Sequence, residues 1–167
     1  MSAEPARKYV LTTETMTVNG RLLHRIRAVR DVRPGVPSGK LGGWVEEESN
    51  LDHEGSAWVS DDARVFGEAW VFGQAWVFGE ARVSGQAWVF GQAWVFGQAW
   101  VFGEARVLGE ARVCGQARVS GQARVFGEAR VSGEALVFGE ARVSGEARVS
   151  GQARVFGEMG AAEEVRA

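Results

Sequence analysis

At 167 residues the chain is of single-domain size and long enough to bury a real core. A net charge of -2 argues against a protein that coats polyanions, one cysteine excludes an internal disulfide framework, and two histidines leave too few for a multi-histidine metal site. The remaining bias, 23 glycines, seven tryptophans and nine phenylalanines against one tyrosine, belongs to a repeat.

Residues 1–50 do not repeat. The opening MSAEPARKYV has no apolar stretch of the kind a signal peptide needs, and no run approaches the roughly 20 residues of a membrane span, so a cytoplasmic protein without a membrane partner is expected. Asn19-Gly20, set between KYVLTTETMTV and RLLHRIRAVRDV, predicts a β-hairpin with a two-residue turn. In its second strand the alternation places Leu22, His24, Ile26 and Ala28 on one face, which makes His24 a packed or capping residue. Pro34, Gly35, Pro37 and Gly39 mark a loop, and Gly42-Gly43-Trp44-Val45 leads onward. A solenoid end needs a cover, so this segment is expected to be an N-terminal cap.

From residue 51 to 158 the chain repeats every six residues as Gly-Glu/Gln-Ala-Arg/Trp-Val-Phe/Ser. Alanine holds its slot from Ala57 to Ala153 and valine from Val59 to Val155 without exception, and glycine yields only once, to Asp61. In an extended Ala-x-Val triplet the first and third side chains share a face, so the invariant pair points inward and the Arg or Trp between them outward. Glycine supplies the backbone freedom of a tight corner. A helix with glycine at every sixth position would lose about 1 kcal/mol at each. The expected fold is therefore all-β, a single-stranded parallel β-helix or β-solenoid, followed by a short tail at 159–167.

The pattern resembles the hexapeptide repeat of left-handed parallel β-helices. The pieces LHRIRAVRDV, GKLGGWVEEESNL and HEGSAWV, in that order, are similar to a bacterial and prophage family of such proteins whose members are often labelled transferases. The resemblance implies a left hand, three hexads per triangular coil and hence a little under six coils, about 27 Å long at strand spacing. It also admits a phage-associated location. It implies no activity, because a transferase label carried by a fold is an analogy.

The residues themselves argue against chemistry. Hexapeptide acyltransferases use a histidine near a coil edge, often beside an extruded loop; this array has no insertion, and its nearest histidine, His53, reads as a turn residue. The related carbonic anhydrases need three histidines for zinc. Cys114 stands where Ser, Phe or Leu stands elsewhere and has no partner residue. The glycines lack the Gly-Lys-Ser/Thr of a phosphate loop. Gly-Glu-Ala-Arg recurs from Gly79, Gly103, Gly109, Gly127, Gly139 and Gly145, which suggests Glu and Arg neutralising one another on a solvated surface. No catalytic residue, metal or cofactor is expected, and arginines that alternate with glutamates in an acidic chain speak against nucleic acid.

One feature exceeds this bland surface. The outward slot holds Trp58, Trp70, Trp76, Trp88, Trp94 and Trp100 in the first half of the array, then arginine everywhere except Leu136. Two positions later stand Phe72, Phe78, Phe90, Phe96 and Phe102, with Phe66 before them. Stacked at three hexads per coil, Trp58, Trp76 and Trp94 form one ladder and Trp70 and Trp88 a second; the third mixes Arg64, Arg82, Trp100, Arg118, Leu136 and Arg154. These aromatic rows are the predicted interaction surface, because large exposed apolar patches mark interfaces. The expected function is a non-catalytic, self-assembling scaffold, a homodimer or homotrimer packed laterally, with end-to-end stacking as the competing geometry. The alternative is a module that binds a glycan or a partner protein through the Trp ladders. The array has no threonine, which argues against ice binding.

Overall fold

Small and β-branched residues at alternate positions demand a shared interior, and that is where the fold puts them. The structure, a computed structural model, describes residues 7–159 and 164–166. From Ala57 to Val149 no alanine or valine of the array is more than 1 % exposed. Burying a valine fully is worth about 1.5–3 kcal/mol relative to leaving it in water, which accounts for slots that never vary.

Each hexad supplies one short strand, such as Trp70–Val71 or Arg106–Val107. The strands pair in parallel one coil apart: Trp94 lies between Trp76 and Arg112, and Val95 between Val77 and Val113. Three parallel sheets result, and they form the three faces of the solenoid. The Trp70 N–H donates to the Ala87 carbonyl at 3.0 Å, and Phe72 to Val89 at 3.1 Å. At the corner Glu68 donates to the Gly85 carbonyl at 2.8 Å, so the ladder continues through the turns and satisfies the backbone there too.

Two constraints meet at each corner. Gly73 has φ +70°, where a side chain is costly, and the Ala75 N–H closes the turn on the Phe72 carbonyl at 3.4 Å. Corners also stack glycine on glycine: a Cβ on Gly115 would stand 2.9 Å from the Gly133 amide nitrogen. Asp61 adopts φ +57° in the same slot, and its carboxylate accepts the Gly79 N–H at 3.1 Å. A short polar side chain that bonds locally tolerates this region.

The hairpin forms as predicted, from β1 (Tyr9–Val18) and β2 (Arg21–Ala28), with positive φ at both Asn19 and Gly20. β3 (Leu41–Val45) runs antiparallel to β2 and parallel to Arg64–Val65. The hairpin thus extends one face of the solenoid rather than sitting apart from it. Trp44 and Val45 occupy the slots of a hexad strand, and Leu51 bridges to Val71, so a first coil is built from non-repetitive sequence. Beyond the array, Glu158–Met159 and Glu164–Arg166 add further parallel rungs. The hexads make a little under six coils and these ends extend the stack, so two faces are seven parallel strands deep.

Tyr9, Ile26, Ala28 and Val36 close the N-terminal end of the core. The Tyr9 hydroxyl lies 2.6 Å from the Leu51 carbonyl and 2.8 Å from that of Glu48. Lys8, fully buried, donates to the Ala57 carbonyl at 2.6 Å, and burial holds its pKa down to about 8. Asn50 pins a 3-10 turn, Glu48–Asn50, by accepting the Glu47 N–H at 2.8 Å and donating to the Ala69 carbonyl at 2.8 Å.

The face of β2 that carries Leu22, His24, Ile26 and Ala28 is packed only in part. Leu22 is 51 % exposed, and it is Leu23 that is buried, while His24 is half-buried with Nδ1 3.3 Å from the Thr12 carbonyl. The register shifts beside β2 place their extra residues in β1 and β3, so β2 keeps its alternation: Ile26 and Ala28 join the solenoid core on one face, Leu23 an outer cluster with Trp44 on the other, and Leu22, next to the hairpin turn, is left exposed.

Candidate interaction surface

The outward slots fall into the three ladders expected. One face carries Trp58, Trp76 and Trp94 above Arg112, Arg130 and Arg148. The next carries Trp70 and Trp88 above Arg106, Arg124 and Arg142. The third begins at Trp44 and runs through Arg64, Arg82, Trp100, Arg118, Leu136 and Arg154.

Trp58 does not belong to the surface. It is 0 % exposed, edge-on to Tyr9 with ring centroids 6.4 Å apart, and lies under the cap. Phe66 is also removed, at 6 % exposure, into a small outer cluster with Trp44, Leu23 and Val18. Both lie in the first coils, where the hairpin supplies the covering side chains. The other ten predicted rings are half-buried, because they cover one another.

On the Trp70 face, Trp70 stacks on Phe72 at 4.0 Å, Phe72 on Phe90 at 4.7 Å, and Trp88 stands edge-on to both Trp70 and Phe72. The Trp76 face repeats this quartet: Phe78 stacks on Phe96 at 4.9 Å, and Trp94 stands edge-on to Trp76 and Phe78. These are the offset and perpendicular arrangements that ring quadrupoles favour. Trp100 and Phe102 form an isolated pair on the third face, 4.6 Å apart.

The serines that interrupt the phenylalanine row have a role the repeat did not reveal. Ser60 Oγ accepts from Trp76 Nε1 at 3.0 Å and Ser84 Oγ from Trp100 Nε1 at 3.1 Å, each across one coil. At the matching positions below Phe72 and Phe78, Trp88 and Trp94 instead meet a ring edge-on. A serine sixteen residues before a tryptophan was the available signal, legible only once the coil length is known.

Arginine closes each aromatic stack. Arg106 lies 4.7 Å over Trp88, Arg112 4.9 Å over Trp94, and Arg33, from the cap, 4.5 Å over Trp76. Arg82 and Arg118 flank Trp100 at 5.9 Å each. Each such contact is worth about 0.5–1 kcal/mol where exposed. The expected Glu–Arg neutralisation is not how the surface is built: among the described residues no Glu–Arg pair within the array comes within 4.0 Å. Amides bond along their own row instead, Gln92 to Gln74 at 3.1 Å and Gln116 to Gln98 at 3.0 Å. The arginines next to a tryptophan lean on its ring, and an Arg two residues from a Glu sits in another row.

The candidate chemical groups are occupied structurally. His53, read from sequence as a turn residue, stacks on Tyr9 at 4.3 Å, and its Nδ1 accepts the Lys8 N–H at 3.1 Å. Burial lowers its pKa, which keeps that nitrogen available as an acceptor. Cys114 is half-buried, and burial pushes its thiol up. Among the described residues no group of three or more His, Cys, Asp or Glu could hold a metal ion, and no helix is long and apolar enough to cross a membrane. A recess of about 770 Å³ is an open groove along the third face, bordered by Trp100, Leu136, Gln98 and Gln116 and by the charged Arg82 and Arg118. Compared with known proteins, the chain matches no protein-family model and no curated protein.

Proposed function

We propose that the protein is a non-catalytic scaffold, a β-solenoid that self-associates laterally through the aromatic faces of its N-terminal half. The observation that carries this reading is the pair of quartets, eight large rings at one height on two faces of the same prism. Residues recruited only for strand propensity have no reason to gather in two consecutive coils and then stop. The reading needs no metal or cofactor. Membership of the hexapeptide-repeat family, and the left hand that goes with it, are part of the proposal; the cap pieces and the uninterrupted six-residue array support them.

Light scattering on the purified protein at tens of micromolar tests it. The parent is expected as a homo-oligomer that Trp76→Arg with Trp94→Arg weakens, since arginine fills the same ladder further along. A monomeric parent, or turnover of an acyl-CoA donor, overturns the scaffold reading. One observation favours a second reading, a glycan-binding module: Trp100, backed by Phe102, borders an open groove furnished with the amides of Gln98 and Gln116. Sugar binding by a stable monomer would select it.

A further inference from the structure

The two quartets are alike, but their surroundings are not. At the N-terminal end of the Trp70 face a depression of about 460 Å³ is bordered by Glu47, Glu48, Asp52 and Glu68 as well as by Trp70 and Trp88. Arg7 takes up Glu48 at 2.8 Å; among the described residues the other three carboxylates have no ion pair. On the Trp76 face the corresponding depression, about 310 Å³, is bordered by Arg33 and Arg112 with one carboxylate, Glu110. Arg33 is held there by its position over Trp76 and by the Ser56 and Gln74 carbonyls. One quartet thus lies between carboxylates and Arg106, the other between two arginines.

We infer that the Trp70 face of one copy docks against the Trp76 face of a second copy, side by side and parallel. This rests on the self-association proposed above and names the surfaces. Like-on-like contact of two Trp76 faces sets arginine against arginine whether the copies run parallel or antiparallel, and like charges across an interface cost affinity. Two Trp70 faces can complement each other only when antiparallel, and that leaves the Trp76 quartets uncovered. The mixed contact covers both quartets and brings Asp52 level with the neighbour's Arg33, while Arg106 comes level with the neighbour's Arg112 only at the far end, where each lies over a ring of its own chain. Area points the same way. Four half-covered rings offer roughly 400 Å², about half of the ~800 Å² per partner of a stable interface, so the polar margin must take part and its charges must match. A contact between two different faces is heterologous and does not close with two copies. On a three-sided prism with faces laid flat it closes after about six.

Mixing two variants decides the matter. Trp70→Arg/Trp88→Arg disables one face and Trp76→Arg/Trp94→Arg the other; circular dichroism melting confirms that each remains folded. The mixed contact predicts a parent larger than a dimer, each double variant monomeric alone, and a 1:1 heterodimer when the two are combined. If either double variant still dimerises alone, or the parent stops at a dimer, the mixed contact is wrong while self-association stands. If the parent is monomeric, self-association itself falls.

Discussion

The coils that carry Trp70 to Phe102 and those that carry Arg106 to Arg154 share one backbone and one interior, and differ in nearly every outward side chain. Val89 and Val143 are equally buried, and Gly91 and Gly139 turn equivalent corners with φ +66° and +63°. Outside, the first set presents rings that cover one another, the second mainly exposed arginines, with Leu136 in one slot and Phe138 and Phe156 standing open. The difference teaches that in this solenoid folding is assigned to the Ala, Val and Gly slots and leaves the remaining three free for another task. The boundary is also physical. Arginine takes over where the last tryptophans need a cover, as Arg106 and Arg112 provide.

The strongest way to break this comparison is to charge the shared interior. Val101→Asp in the aromatic half and Val137→Asp in the arginine half should each lower stability by several kcal/mol, because either buries an unpaired carboxylate among aliphatic side chains. Urea unfolding measures both. Costs that differ by more than about 1 kcal/mol between comparable buried sites would show that the two interiors are not equivalent.

The corners allow a finer separation of causes. A Cβ on Gly91 would stand 2.9 Å from the Gly109 amide nitrogen, whereas one on Gly139 meets nothing within 4 Å. Gly139→Ala should therefore cost only the positive-φ penalty, about 1–2 kcal/mol. Gly91→Ala should cost at least about 1 kcal/mol more, since backbone rather than a flexible side chain must move. Equal costs in thermal unfolding would mean that dihedral strain alone keeps glycine in these slots.

The smallest effect probes the outer surface. Arg106→Gln removes a cation from the Trp88 ring and should destabilise by about 0.5–1 kcal/mol. Arg124→Gln, one coil further along the same ladder and between Arg106 and Arg142, should stay within about 0.5 kcal/mol of the parent. If the two variants melt alike, the arginines above the rings are no different from those in the rest of the ladder.

Much of this protein is legible in its sequence because the governing constraints are local. Period-2 alternation sends Ala and Val inward, positive φ requires Gly at the corner, and Asn19-Gly20 turns a hairpin, each within a few residues of chain. Once a coil is three hexads long, the ladders follow by addition. What tertiary structure alone decided concerns groups far apart in sequence. Trp58 obeys the outward rule of its slot and is buried nonetheless, because Tyr9 and the cap lie over it. Trp44 and Leu51 continue the coil without the repeat, and Glu164–Arg166 extends it at the other end. Among the described residues the glutamates of the array, two residues from arginines, have no arginine within 4.0 Å, and the amides of their slot bond across one coil, eighteen residues away, instead. Alternation determines which side of the strand a residue faces; whether that side meets water, a ring or another segment depends on what the rest of the chain brings there.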